Sequence, residues 1–125
     1  MELVAIALGG AAGAVARYSL GNLINLHLGT QFPYSILIIN VLGSLIMGIL
    51  FELLVEDVHL PAVWRSLLMV GFLGAFTTFS TFSMQVLGLI ETGRFVAALS
   101  YVTMSVVLSV LAVAIGIFLC RQFTS

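Results

Sequence analysis

The sequence predicts an all-α integral membrane protein, a single domain over residues 1–125 with four transmembrane helices, the third broken near its middle. Three observations carry that reading. The 125-residue chain is 62% hydrophobic and 7% charged, with a mean hydropathy of +1.26. A soluble domain has about 25% charged residues with which to face water. Four apolar runs reach the roughly 20 residues that a helix needs to cross a bilayer, and short connectors separate them. The third run contains GFLGAFTTFSTFS, Gly71–Ser83, whose glycines and crowded hydroxylated side chains weaken a helix. Weakened backbone at bilayer depth survives only where protein buries it or where it lines a polar path. Something binds or crosses there.

Span one covers about Leu3–Ile24. Its apolar run is too long for a signal peptide, and no basic stretch precedes it. Gly9-xxx-Gly13, Gly10-xxx-Ala14 and Ala12-xxx-Ala16 give it a small-residue face of the kind that lets helices approach closely in lipid. The pattern leaves open whether the partner lies within the chain or in a second copy. Arg17 is the sole cation well inside a span. It reads either as an anion attractor at a vestibule or as a side chain snorkelling to the headgroups. A connector, Asn25–Tyr34, leads to span two at about Ser35–Leu54. Span two carries Ser44-xxx-Gly48 and Asn40, an amide deep enough to need a partner, in a path or on a neighbouring helix.

The second connector, Val55–Ala62, holds Glu56, Asp57 and His59, while Pro61 and Trp64 open span three at an interface-like position. His27 and His59 read as ordinary loop histidines. Span three covers about Val63–Ile90, more than a straight crossing needs. Tilt would absorb the excess, as would a break over Gly74–Thr81, and the local composition favours the break. The tight turn Glu91-Thr92-Gly93-Arg94 leads to span four at about Phe95–Leu119. There Tyr101, Ser105 and Ser109, at i, i+4 and i+8, draw one polar stripe down a helix face. Each serine either bonds back to its own helix carbonyls or offers its hydroxyl to an ion. Cys120 reads as apolar filler.

Charge excludes several function classes. A net charge of −1 with no lysine argues against nucleic acid, which demands a basic patch. A single cysteine excludes a disulfide framework within the chain. No Asp, Glu, His or Lys falls at mid-span, so a proton-coupled transporter would lack its relay. An enzyme would lack a nucleophile–base pair or a metal cluster. The four arginines divide evenly: Arg65 and Arg121 towards the face holding both termini, Arg94 and, by its depth, Arg17 towards the other. The bias that sets orientation then nearly vanishes. Insertion both ways up and an antiparallel homodimer follow, since four helices alone enclose little pore.

The phenylalanines of the third span are spaced for one helix face: Phe76, Phe79 and Phe82, with Phe72 a turn earlier. Packing is the ordinary meaning of such a stripe. A phenyl ring is also positive at its edge, so edges turned into a narrow path would hold a small anion weakly enough to release it. Thr77, Thr78, Ser80, Thr81 and Ser83 add donors around them, and this mixture favours a path over plain packing. Carbonyls freed by an unwound turn would attract a cation instead.

Three stretches carry a family resemblance: Gly9–Tyr18 (GGAAGAVARY), Asn40–Ser44 (NVLGS) and Gly71–Phe82 (GFLGAFTTFSTF). Over essentially its whole length the chain resembles the Fluc (CrcB-type) fluoride channels of bacteria and archaea. The resemblance implies a fluoride-selective channel, not an enzyme, that exports F⁻ passively across the inner membrane of a prokaryote. Such export relieves toxicity where neutral HF enters from acidic surroundings and dissociates inside. It also implies an antiparallel dual-topology homodimer with two pathways. By motif position, Phe79 and Phe82 would line the pores through their ring edges, Asn40 would be the pore amide, and Arg17 would sit near a vestibule. Tyr101, Ser105 and Ser109 would form the polar track. A structural Na⁺ at the dimer centre would rest on the backbone carbonyls of Gly74 and Thr77 from both subunits. Two rivals remain. Small multidrug exporters, also four helices, use a glutamate inside helix one, where this chain has Arg17 and no inner acid. A non-transporting membrane subunit would leave the broken helix and the serine stripe unused.

Overall fold

Helix α1 spans Glu2–Leu28 in the computed structural model, which describes residues 1–57 and 60–124. It runs beyond Ile24 into the expected connector and stops at Gly29, whose φ of 79° is a conformation that glycine adopts without steric penalty. His27, expected in a loop, therefore sits in the last helical turn, with Nδ1 3.0 Å from the Leu23 carbonyl oxygen. Helix α2 covers Tyr34–Leu50 and continues as a π-helical stretch, Phe51–Asp57. His59 and the side chains of Glu56 and Asp57 lie outside the described residues.

The third span is two helices. The first, α3, runs over 62–76 and includes a π-helical stretch, Ser66–Leu73. The second, α4, is Ser80–Glu91. Thr77, Thr78 and Phe79 between them are not helical, and Thr77 is extended with φ −82° and ψ 156°. The break expected within Gly74–Thr81 thus falls at its middle, and Gly74 itself is helical. The 92–94 turn closes through Gly93, at φ 80°, with the Arg94 N–H donating to the Leu89 carbonyl at 2.8 Å. Helix α5, Phe95–Thr124, carries the fourth span past the expected Leu119. All four spans are long and apolar enough to cross a membrane.

Two helix pairs organise the bundle: α1 against α3, and α2 against α5. Glycine makes both possible. A Cβ on Gly9 would collide with the Leu67 carbonyl, one on Gly13 with the Phe72 carbonyl, and one on Gly71 would lie 2.7 Å from the Ile6 carbonyl. Across the other pair, Gly48 meets Val113 and Gly116 meets Leu45, backbone to backbone. The Gly9-xxx-Gly13 part of the small-residue face of span one therefore has its partner inside the same chain. Two apolar clusters flank the break: Ile39, Leu73 and Phe76 on one side, and Ile36, Leu37, Phe82, Leu89, Ala98 and Tyr101 on the other. Beyond these, most of the aliphatic surface points outward, as a hydrocarbon solvent allows. An ion pair, Arg121 Nε to Glu52 Oε1 at 3.1 Å, ties the end of α5 to the π-helical extension of α2.

Candidate functional site

A groove of about 400 Å³ opens where the break faces α2 and α5. Its polar lining comes from Asn40 and Ser44 on α2, Thr77 and Thr78 in the break, and Ser105 and Ser109 on α5. Phe79 and Phe82 supply its aromatic wall. Five of the six expected pathway residues thus meet around one space.

The break is held by donors from two directions. The Asn40 side chain pairs with the backbone of Thr78 as a peptide would: Nδ2 donates to the Thr78 carbonyl at 3.0 Å, and the Thr78 N–H donates to Oδ1 at 2.9 Å. Interrupting a helix orphans its last carbonyls and the next segment's first N–H groups, and buried orphans must find partners. Asn40 satisfies one of each. From the α1 side, Arg17 Nε donates to the Ala75 carbonyl at 3.1 Å, a cation at a helix C-terminus where the backbone dipole favours it. Arg17 therefore lies at the level of the break, near the middle of the third span. The carbonyls of Gly74 and Thr77 take no hydrogen bond among the described residues. Gly74 is also exposed on the outside of the chain.

Several hydroxyls of the run are used locally. Thr77 Oγ1 donates to the Leu73 carbonyl at 2.9 Å, and Ser83 Oγ to the Phe79 carbonyl at 2.9 Å. The Thr78 hydroxyl accepts the Thr81 N–H at 3.2 Å and so caps the start of α4. The stripe on α5 behaves differently. Ser105 Oγ is buried with no hydrogen-bond partner, so it has not turned back to its own helix. It is a donor left over at the groove wall, and a buried polar group left unpaired is costly enough to call for an explanation.

Tyr101, the remaining pathway candidate, does not line the groove. Fully buried, it stands behind Phe82 with ring centroids 5.0 Å apart, and its hydroxyl donates to Gln85 Oε1 at 2.6 Å. Phe79 does the opposite: it is 77% exposed and lies 5.5 Å from Phe82, the rings tilted by 47°. Phe72 and Phe76 stack together at 5.7 Å away from the groove, Phe76 in the core beside Leu73. The four phenylalanines that share a sequence period therefore divide into a packing pair and a groove pair.

Residues 4–117 match the profile of the family described as CrcB-like protein, Camphor Resistance (CrcB). The chain belongs to that family. A fluoride-specific ion channel FluC of Saccharophagus degradans is 49% identical over 95% of this chain and 89% of its own length. Proteins of the same name from Magnetococcus marinus and Coxiella burnetii are 47% and 46% identical over 97% and 98% of this chain, covering 98% and 99% of their own. The CrcB-like family is one of channels, not enzymes.

In this CrcB-like chain Ser44, which its Ser44-xxx-Gly48 spacing marks for packing, also lines the groove. Its position four residues after Asn40 was the available signal, because i and i+4 share a helix face. The pairing of Asn40 with Thr78 had no such signal, since it joins residues on separate helices.

Proposed function

We propose that the protein is a fluoride channel that lets F⁻ leave the cell passively through the inner membrane of a prokaryote. The observation that carries this reading is the groove itself, where an amide, two phenyl rings and an unpartnered buried serine hydroxyl converge without any titratable side chain. A bare anion in hydrocarbon costs tens of kcal/mol by Born solvation. Successive weak donors offset that cost without trapping the ion as a lysine would. The ring edges of Phe79 and Phe82, the Asn40 amide and the hydroxyls of Ser105 and Ser109 form such a succession. Tyr101 acts from behind, fixing the Phe82 ring. Arg17 adds positive potential at the level of the break.

The working unit in this proposal is an antiparallel, dual-topology homodimer. The balanced arginines support it, and so does the exposure of Phe79 and Gly74 on the outer side of the broken span. The carbonyls of Gly74 and Thr77 fit a structural Na⁺ at the dimer centre. They are hard oxygen donors of the type small hard cations take, and Arg17 and Asn40 already occupy the neighbouring carbonyls of Ala75 and Thr78. When bound, the ion would supply fixed positive charge where two broken helices meet.

The deciding measurement is fluoride efflux from liposomes containing only this protein, with chloride and proton-gradient controls. Passive, fluoride-selective efflux is expected, and efflux that is absent or needs an opposing proton gradient would overturn the proposal. Phe82→Ile keeps apolar bulk but removes the ring edge. It should abolish flux while the assembly still elutes as wild type, and unchanged flux would refute the phenyl-edge mechanism. Accessibility of one terminal tag from both faces tests dual topology.

A further inference from the structure

A second cavity, of about 220 Å³, lies at the end of the bundle that holds the 29–33 loop and the 92–94 turn. Its polar lining is Asn25 from the end of α1, Thr30 and Gln31 from the loop, Gln85 from α4, and Arg94 from the turn. No carboxylate among the described residues lines it. Glu91 stands at the end of α4 on the adjoining turn but is exposed and does not contribute to the wall. The pocket therefore offers amides, a hydroxyl and one guanidinium, a lining that suits an anion and repels a cation.

Two hydrogen bonds give this pocket its direction. Arg94 Nη1 donates to the Gln31 carbonyl and joins the turn to the loop. That contact leaves the remaining guanidinium N–H groups without a partner among the described residues. On the inner side, Gln85 Oε1 accepts the Tyr101 hydroxyl proton at 2.6 Å, which leaves the Gln85 amide N–H groups as its donors to the pocket. Tyr101 packs on Phe82, and Phe82 lines the main groove. A chain of contacts from Gln85 through Tyr101 to Phe82 thus links the lining of one cavity to that of the other.

We infer that this pocket is a collecting site for small inorganic anions at the loop end of the same path, with Arg94 as its charge and Gln85 as the donor on its inner wall. The inference rests on the channel reading above. An exposed guanidinium at a pore mouth raises the local anion concentration, and the effect fades as salt shortens the screening length from about 10 Å at 0.1 M to about 3 Å at 1 M. It changes how often an ion enters and leaves the interior of the path as it was.

The test is fluoride efflux at sub-saturating fluoride from vesicles of zwitterionic lipid, with ionic strength set by a salt of an impermeant organic anion. Arg94→Gln should slow efflux about three- to tenfold at low ionic strength, and the difference should close near 1 M. Arg94→Lys keeps the charge but not the planar fork, and should restore the wild-type rate. A slow Lys variant, or a loss that persists at high salt, would make Arg94 a loop clamp and overturn the inference. So would a difference seen only with anionic lipid, which would mark a headgroup contact. Wild-type efflux that Arg94→Gln leaves unchanged sinks this inference alone, whereas absent wild-type efflux sinks the channel reading and this site with it.

Discussion

The seam between α1 and α3 and the groove between α2, α5 and the break both involve the third span, yet they treat polar groups in opposite ways. In the seam, Gly9, Gly13 and Gly71 bring backbone against backbone and leave no room even for a methyl group. In the groove, side chains stand apart around about 400 Å³, one buried hydroxyl has no partner, and Phe79 faces outward. Lipid tails are as apolar as leucine, so helices in a bilayer associate through close packing instead of through expulsion of water. The seam supplies that packing. It anchors the first half of the third span so firmly that the second half can start anew three residues later. The groove is what such an anchored break leaves available for an ion.

Variants can break this contrast from either side. The largest effect is expected at the seam. Gly13→Val drives a branched side chain into the Phe72 backbone, and overpacking of this kind costs about 3 kcal/mol or more where the backbone cannot yield. Loss of monodisperse protein in detergent is the expected result, and a well-behaved, fully active variant would show that the seam is looser than described. Asn40→Ala comes next. It strands both the N–H and the carbonyl of Thr78, at about 1–3 kcal/mol for each buried group left unpaired. A lower unfolding temperature together with lost flux should result, whereas lost flux at unchanged stability would assign Asn40 to the ion and not to the break. The smallest stability effect belongs to Ser105→Ala. Removing a buried hydroxyl that has no partner leaves stability unchanged or slightly raised, while fluoride flux falls. A destabilised Ser105→Ala protein would mean that this hydroxyl has a structural partner.

Much of this was readable in the sequence because it depends on composition and on neighbours along the chain. The membrane class follows from 7% charged residues, and the break from glycine and crowded hydroxyls within a few positions of where it occurs. The serine stripe follows from the helical period. The ends of the helices were less legible: α1 runs on to Leu28 and α5 to Thr124, because apolarity marks bilayer depth while helical hydrogen bonding continues past it. The π-helical stretches at Phe51–Asp57 and Ser66–Leu73 had no counterpart in the pattern.

By itself, then, the sequence determined the solvent this protein is built for, the number of its spans, the weak point in the third and the family it belongs to. All of these are properties of composition, period or local motif. The tertiary structure alone decided which groups meet: Gly9 and Gly13 with the third span, Arg17 with Ala75, Asn40 with Thr78, and Tyr101 with Gln85 instead of the groove. Those pairings join residues far apart in the chain or on different helices. A period along one helix reports the face a residue occupies but not the partner it finds, and the partner is fixed only when glycine lets two backbones touch.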